Sequence, residues 1–155
     1  MLIRNYGLFW SRDKVWWGTG GKGKAGSLLG IKSGSKKTQP VDFREQRGVY
    51  VLYDSNFRIM YVGQAGGAAT QCLFQRLRNH KNDHLAERWQ LFSWFGTRAV
   101  LGDALDEQNN IAPKLSEALN HIEAILLAAA EPPLNLQRGR FGKAVPQYIQ
   151  CPPPT

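Results

Sequence analysis

Several groups of residues in this 155-residue chain have types and spacings that could do chemistry. Arg76 and His80 stand four apart. On a helix they share one face, so a fixed cation and an imidazole that titrates near neutrality would project together. His80 and His84 repeat that spacing, which zinc can use. A third ligand would have to come from Asp83, His121 or Cys72, and nothing fixes one, so zinc is the weaker reading. Glu123 interrupts the apolar half of a helical stretch. A carboxylate there either points to solvent or is held in a cleft by a cation or metal, and from the helix alone solvent is the simpler answer. Gly21-Lys22-Gly23-Lys24-Ala25-Gly26 satisfies GxGxxG, and residues 18–25 nearly satisfy a Walker phosphate loop. Ala25 stands where the Mg²⁺-binding hydroxyl is needed, and Gly26, Gly30 and Gly34 interrupt any helix that would follow, so neither match is a nucleotide site.

The elements that must position these groups follow from pattern. Residues 48–53 are β-branched and aromatic, Asp54-Ser55-Asn56-Phe57 supplies turn residues, and residues 59–62 are strand-like again, which predicts an antiparallel hairpin. Alternation puts Val49, Val51 and Tyr53 on one face and Tyr50 and Leu52 on the other. A helix is predicted over 72–81, with Leu73 and Leu77 at i, i+4, and a third strand over 90–96. Pro113 opens a second helix, 113–131, with Leu115, Leu119, Ile122, Leu126 and Ala129 as its buried stripe; Pro132-Pro133 ends it. Ahead of this body, residues 6–17 read as two short aromatic strands around Ser11-Arg12-Asp13-Lys14, their rings serving packing. Seven glycines between Gly18 and Gly34 make that segment too costly in backbone entropy for a helix or strand of its own, so it reads as a flexible arm. The predicted fold is α/β (α+β), a small three-stranded antiparallel sheet flanked by helices, with a Gly/Lys-rich N-terminal arm. The expected organisation is a basic hairpin and arm over 1–47, the folded domain over 48–145, and a proline-rich tail over 146–155.

Gly48-Val49-Tyr50, ten residues, and then Tyr61-Val62-Gly63 resembles the paired signature of the GIY-YIG nuclease family. Leu73-Phe74-Gln75-Arg76-Leu77 resembles that family's arginine helix, Glu123 its metal-binding glutamate, and Asn135, twelve residues on, its asparagine. The resemblance spans about residues 47–136 and implies a GIY-YIG-like fold and one divalent cation, Mg²⁺ with Mn²⁺ as the alternative, in a phosphodiester-hydrolysing site. Glu123 would be the only protein ligand, which suits an ion that keeps its waters. Arg76 would clamp the scissile phosphate. Tyr50 and Tyr61, at matching ends of adjacent strands, would converge on one pocket, where a tyrosine helps to activate water. Free tyrosine titrates near 10, so a neighbour must take its proton. His80, four residues after Arg76, is similar to the histidine that supports the first tyrosine in the restriction-enzyme branch. Gly48, Gly63 and Asn135 would brace the site, the two glycines as backbone necessities. Gln64 departs from members that place a lysine after the second glycine.

Charge names the expected partner. Residues 1–47 carry ten basic and three acidic side chains, while residues 48–155 carry ten and nine, so nearly all of the net +8 lies in the first third. Lys22, Lys24, Lys32, Lys36 and Lys37 would track a nucleic-acid backbone, joined by Arg78, Arg138 and Arg140. The composition, 43% apolar and 11% aromatic, excludes a disordered chain. No apolar run approaches the roughly 20 residues of a membrane span, no secretory leader is read, and Cys72 and Cys151 make no disulfide framework, so a cytoplasmic protein is expected. The expected function is a metal-dependent endonuclease acting on double- or single-stranded DNA. A double-strand break from one active site calls for a homodimer or two visits. The alternatives are an RNA-cleaving nuclease and a non-catalytic nucleic-acid-binding module of the same fold.

Overall fold

The computed structural model describes residues 2–19, 25–36, 39–66, 71–107, 125, 129 and 145–153. In chain order its elements are β1 (Asn5–Ser11), β2 (Leu29–Lys32), β3 (Val41–Asp42), β4 (Gly48–Tyr53), β5 (Ile59–Ala65), α1 (Leu73–His80), β6 (Leu91–Gly96), β7 (Val100–Leu101), β8 (Ala104–Leu105) and β9 (Gln147–Gln150). Seven of the strands form one sheet in the order β3-β2-β9-β1-β6-β4-β5. β1 and β9 run parallel, and every other pair in the sheet is antiparallel. β7 and β8 make a separate two-stranded ribbon. No helix among the described residues is long and apolar enough to cross a membrane.

This architecture corrects the expected fold. The sheet is seven-stranded and mixed, not three-stranded and antiparallel, and α1 is the one α-helix whose bounds fall among the described residues. The predicted strands β4, β5 and β6 do lie side by side, but they occupy only one end of the sheet. The N-terminal region is not an arm beside it, because β1, β2 and β3 are three of its strands. The error has a physical cause. Taken alone Gly30 is a loss of backbone entropy, yet it lies in β2, where the Trp10 indole packs against it with Cη2 only 2.8 Å from where a Cβ would stand. Likewise residues 147–150, read as part of a proline-rich tail, form β9 between β2 and β1. The second aromatic strand expected near Val15–Trp17 reduces to one bridge, Trp16 to Ser27. The helix predicted over 113–131 lies outside the described residues except for Ile125 and Ala129, both helical.

Two clusters cover the sheet. Tyr50, Leu52, Phe92, Trp94, Trp10 and Tyr148 pack on one face with Leu73, Phe74 and Leu77 of α1, together with Phe43 and Trp89. Val51, Tyr53, Phe95 and Tyr6 pack on the other with Ala129 and Ile125. The alternation read for residues 49–53 is the one seen.

α1 is fixed at both ends. Leu73 N donates to Gln46 O at 2.8 Å and Phe74 N to Arg44 O at 3.2 Å, so two of the N–H groups that a helix start leaves unpaired are satisfied by the chain entering β4. At the far end Trp89 Nε1 donates to His80 O at 3.1 Å. Gln46 is itself buried and held: its Nε2 donates to Asn5 Oδ1 at 2.6 Å, and its Oε1 accepts from Arg98 N at 3.0 Å and Arg47 N at 2.9 Å. The helix bearing the candidate chemistry is therefore tied by backbone groups to the segments entering β4 and β6, and through the Gln46 amide to Asn5 of β1 and to Arg98 beyond β6.

Candidate functional site

The register places Tyr50 opposite Gly63 and Leu52 opposite Tyr61, so both tyrosines project from the same face. Their ring centroids are 6.1 Å apart. α1 lies over that face and turns Leu73, Phe74, Leu77 and His80 inward. The His80 ring comes to 5.7 Å from that of Tyr50 and 4.7 Å from that of Tyr61. Tyr50 Oη stands 2.7 Å from His80 Nε2, in a buried hydrogen bond. On the other side of the imidazole, Nδ1 is 2.7 Å from Asp83 Oδ2.

Gly63 makes this arrangement possible. A Cβ on Gly63 would sit 2.4 Å from Tyr50 Oη, 2.5 Å from Cζ and 2.6 Å from Tyr61 Cε1. The tyrosine occupies the space a side chain would take. Gly48 is required for a different reason: its φ is +138°, and a Cβ would lie 2.0 Å from Phe95 O. Of the two glycines expected to serve the backbone, Gly48 does so, while Gly63 clears room for the candidate reacting group.

Arg76 is half-buried, one turn before His80. Its Nε is buried and has no hydrogen-bond acceptor among the described residues. A buried charged donor left unpaired is costly, so this atom calls for an anion or other acceptor. Burial pushes the Tyr50 hydroxyl up to about 12; the Arg76 guanidinium pulls it back and Tyr61 adds to the rise. Tyr50 thus keeps its proton at neutral pH. Burial also works to raise Asp83, but the Leu85 amide and the His80 ring, with the charges of His80 and His84, outweigh it and hold this carboxyl below its usual range.

Tyr50, Tyr61, Arg76 and His80 are brought together. Arg78, two residues from Arg76, is exposed, as are Lys32 at the end of β2 and Lys36 beyond it. Glu123, Asn135, Lys22, Lys24, Lys37, Arg138 and Arg140 lie outside the described residues. Among the described residues no group of three or more His, Cys, Asp or Glu could hold a metal ion. Both ring nitrogens of His80 are engaged by Tyr50 and Asp83, which removes it from the zinc reading. The residue that sequence reasoning missed is Asp83, weighed only as a zinc ligand. Its signal was a carboxylate three residues beyond a histidine at a helix end. No family model, curated protein or solved structure matches the chain, so the GIY-YIG resemblance rests on the residues quoted for it above.

Proposed function

We propose that the chain is a nuclease that hydrolyses phosphodiester bonds of DNA. The observation that carries this reading is the convergence on one sheet face of a buried Tyr50–His80 hydrogen bond with an arginine whose buried Nε lacks a partner among the described residues. Arg76 binds the phosphate and offsets its developing charge. Tyr50 cannot ionise alone at neutral pH and is fully buried, so it draws a proton from water only through the part-exposed Tyr61 beside it, and only as it passes its own to His80 Nε2. Tyr61, part-exposed beside the pair, is the tyrosine that solvent reaches. In this reading Glu123 holds the divalent cation, Mg²⁺ or Mn²⁺, which polarises the phosphate when bound. One carboxylate as sole protein ligand fits an ion that retains its waters, so the described residues need supply no other ligand.

The test is cleavage of supercoiled plasmid and of single-stranded DNA, with Mg²⁺ or EDTA, by wild type, Arg76→Ala, Tyr50→Phe and Glu123→Ala. Cutting that requires Mg²⁺ and is lost in all three variants supports the reading. Cutting indifferent to Arg76→Ala and Tyr50→Phe refutes it. Two observations favour the second reading, a non-catalytic nucleic-acid-binding module: Tyr50 is 0% exposed, and Ile125 and Ala129, close in sequence to Glu123, pack on the opposite sheet face. That reading predicts salt-sensitive DNA binding with no cleavage of DNA or RNA. Cleavage of RNA alone would keep the chemistry and change the substrate.

A further inference from the structure

We propose that Asp83 is the positioning residue of this site, holding His80 in the tautomer that can accept the Tyr50 proton. The inference rests on the nuclease reading for its consequence, but its geometry stands independently. An ionised carboxylate can only accept hydrogen bonds. With Asp83 Oδ2 2.7 Å from His80 Nδ1, the proton of the neutral ring must sit on Nδ1. Nε2 is then a lone pair, and the hydrogen bond from Tyr50 has one direction: the hydroxyl donates and His80 accepts. Were the proton on Nε2, the ring would donate to Tyr50 and no base would face the tyrosine.

Asp83 is built to hold this orientation. Its other oxygen, Oδ1, accepts from Leu85 N at 2.8 Å, so both ends of the carboxylate are fixed. His80 is pinned as well, its side chain 6% exposed and its carbonyl bound by the Trp89 indole. When Tyr50 passes its proton on, the imidazolium that forms is already paired with a carboxylate. The Tyr50 O–H bond breaks and an N–H bond to Nε2 forms. A proton drawn from water through Tyr61 replaces the one that left Tyr50. The hydroxide so formed bonds to phosphorus as the P–O bond to the leaving oxygen breaks, that oxygen taking its proton from solvent. Carboxylate–histidine pairs hold a tautomer in this way in serine proteases, where exchanging the carboxylate for an amide lowers kcat about 10⁴-fold.

Asp83→Asn is the informative substitution. The Leu85 amide claims the new amide oxygen, which turns the NH₂ group toward Nδ1 and requires that nitrogen to accept. Nitrogen-15 NMR of histidine-labelled protein, with His80 assigned by its loss in His80→Gln, reads the tautomer directly. Wild type is expected to show Nδ1 protonated and Nε2 bare, and Asp83→Asn the reverse. In the cleavage assay, Asp83→Asn is expected to lose about 10²-fold or more in kcat with KM little changed, and Asp83→Glu to recover part of it. Wild-type His80 protonated on Nε2, or wild-type kcat in Asp83→Asn, would overturn the proposal. If wild type cuts no nucleic acid, the nuclease reading fails while the wild-type tautomer still decides the role of Asp83.

Discussion

Gly63→Ala tests whether the site is built by shape. The perturbation is one methyl group on β5, opposite Tyr50. Its carbon would stand 2.4 Å from Tyr50 Oη and 2.5 Å from Cζ, roughly 1 Å or more inside ordinary contact. Gly63 is not among the residues with positive φ, so alanine meets no backbone penalty there. The whole effect is steric. The Tyr50 ring cannot swing aside, because it is 0% exposed and its hydroxyl is held by His80. Overpacking of a filled site costs about 1–3 kcal/mol. Breaking the Tyr50–His80 bond and leaving Nε2 buried adds about 1–3 kcal/mol. Replacing glycine returns about 0.4–1 kcal/mol by restricting the unfolded chain. A net loss of about 1–5.5 kcal/mol is expected, which at about 2–4 °C per kcal/mol is a measurable fall in Tm. Urea unfolding measures the loss, and the His80 ring nitrogens report whether the hydrogen bond broke. Wild-type stability with an unchanged His80 spectrum would refute the placement of Tyr50 against Gly63.

Alkaline pH should unfold the protein through its buried tyrosines. Burial pushes Tyr53 up to about 12, with its hydrogen bond to Ser93 acting the other way, whereas an unfolded tyrosine titrates near 10. A folded pKa raised in this way contributes stability that is full below pH 10 and lost as pH rises toward 12, at about 1.4 kcal/mol per pH unit. Tyr53→Phe should flatten that part of the stability profile; an identical slope in the variant would contradict it. Gln46→Leu removes a buried amide that serves Asn5, Arg47 and Arg98. It should cost about 2–4 kcal/mol by urea unfolding, and a cost below 1 kcal/mol would show the network to be slack. If Lys32 and Lys36 each contact a DNA phosphate, changing both to alanine should reduce the slope of log K against log salt by about 1.8; an unchanged slope removes them from the interface.

What the sequence showed depended on how local the deciding contact was. β4, β5, β6 and α1 were legible because their signals are internal: β-branched and aromatic runs, turn residues at 54–57, and leucines at i, i+4. β2 and β9 were not, because each depends on partners far along the chain. Gly30 pairs with Gln150 and receives the Trp10 ring, while β9 runs parallel to β1 across some 140 residues. Nothing in a window of ten residues records such a contact. In the site, the shared face of Arg76 and His80 could be read from helical spacing. The approach of His80 to Tyr50 came only through the family resemblance, since thirty residues separate them. Asp83 was in view only as one possible third ligand of the weaker zinc reading, because histidines four apart suggest a metal more readily than a carboxylate three residues on suggests a tautomer.

The cross-strand row through the site explains why Tyr50 has no freedom. Reading across the sheet, Gly63, Tyr50, Trp94, Gly7, Tyr148 and Lys32 are successive partners on one face. Two of the three rings in the row border a glycine whose missing Cβ they use: Tyr50 over Gly63, and Trp94 over Gly7, where a Cβ would lie 2.4 Å from the indole nitrogen. The sheet therefore sets where the Tyr50 ring stands, and His80 of α1 holds its hydroxyl. Independently, Gln46 O and Arg44 O at one end and Trp89 at the other fix α1 without help from Tyr50. The 2.7 Å bond between Tyr50 and His80 is where two separately positioned elements meet, which makes it preorganised and not induced by the pair itself. Tyr50→Phe should therefore leave α1 in place and the His80 ring nitrogens still set by Asp83, whereas Gln46→Leu, remote from both rings, should disturb the bond by moving the helix start.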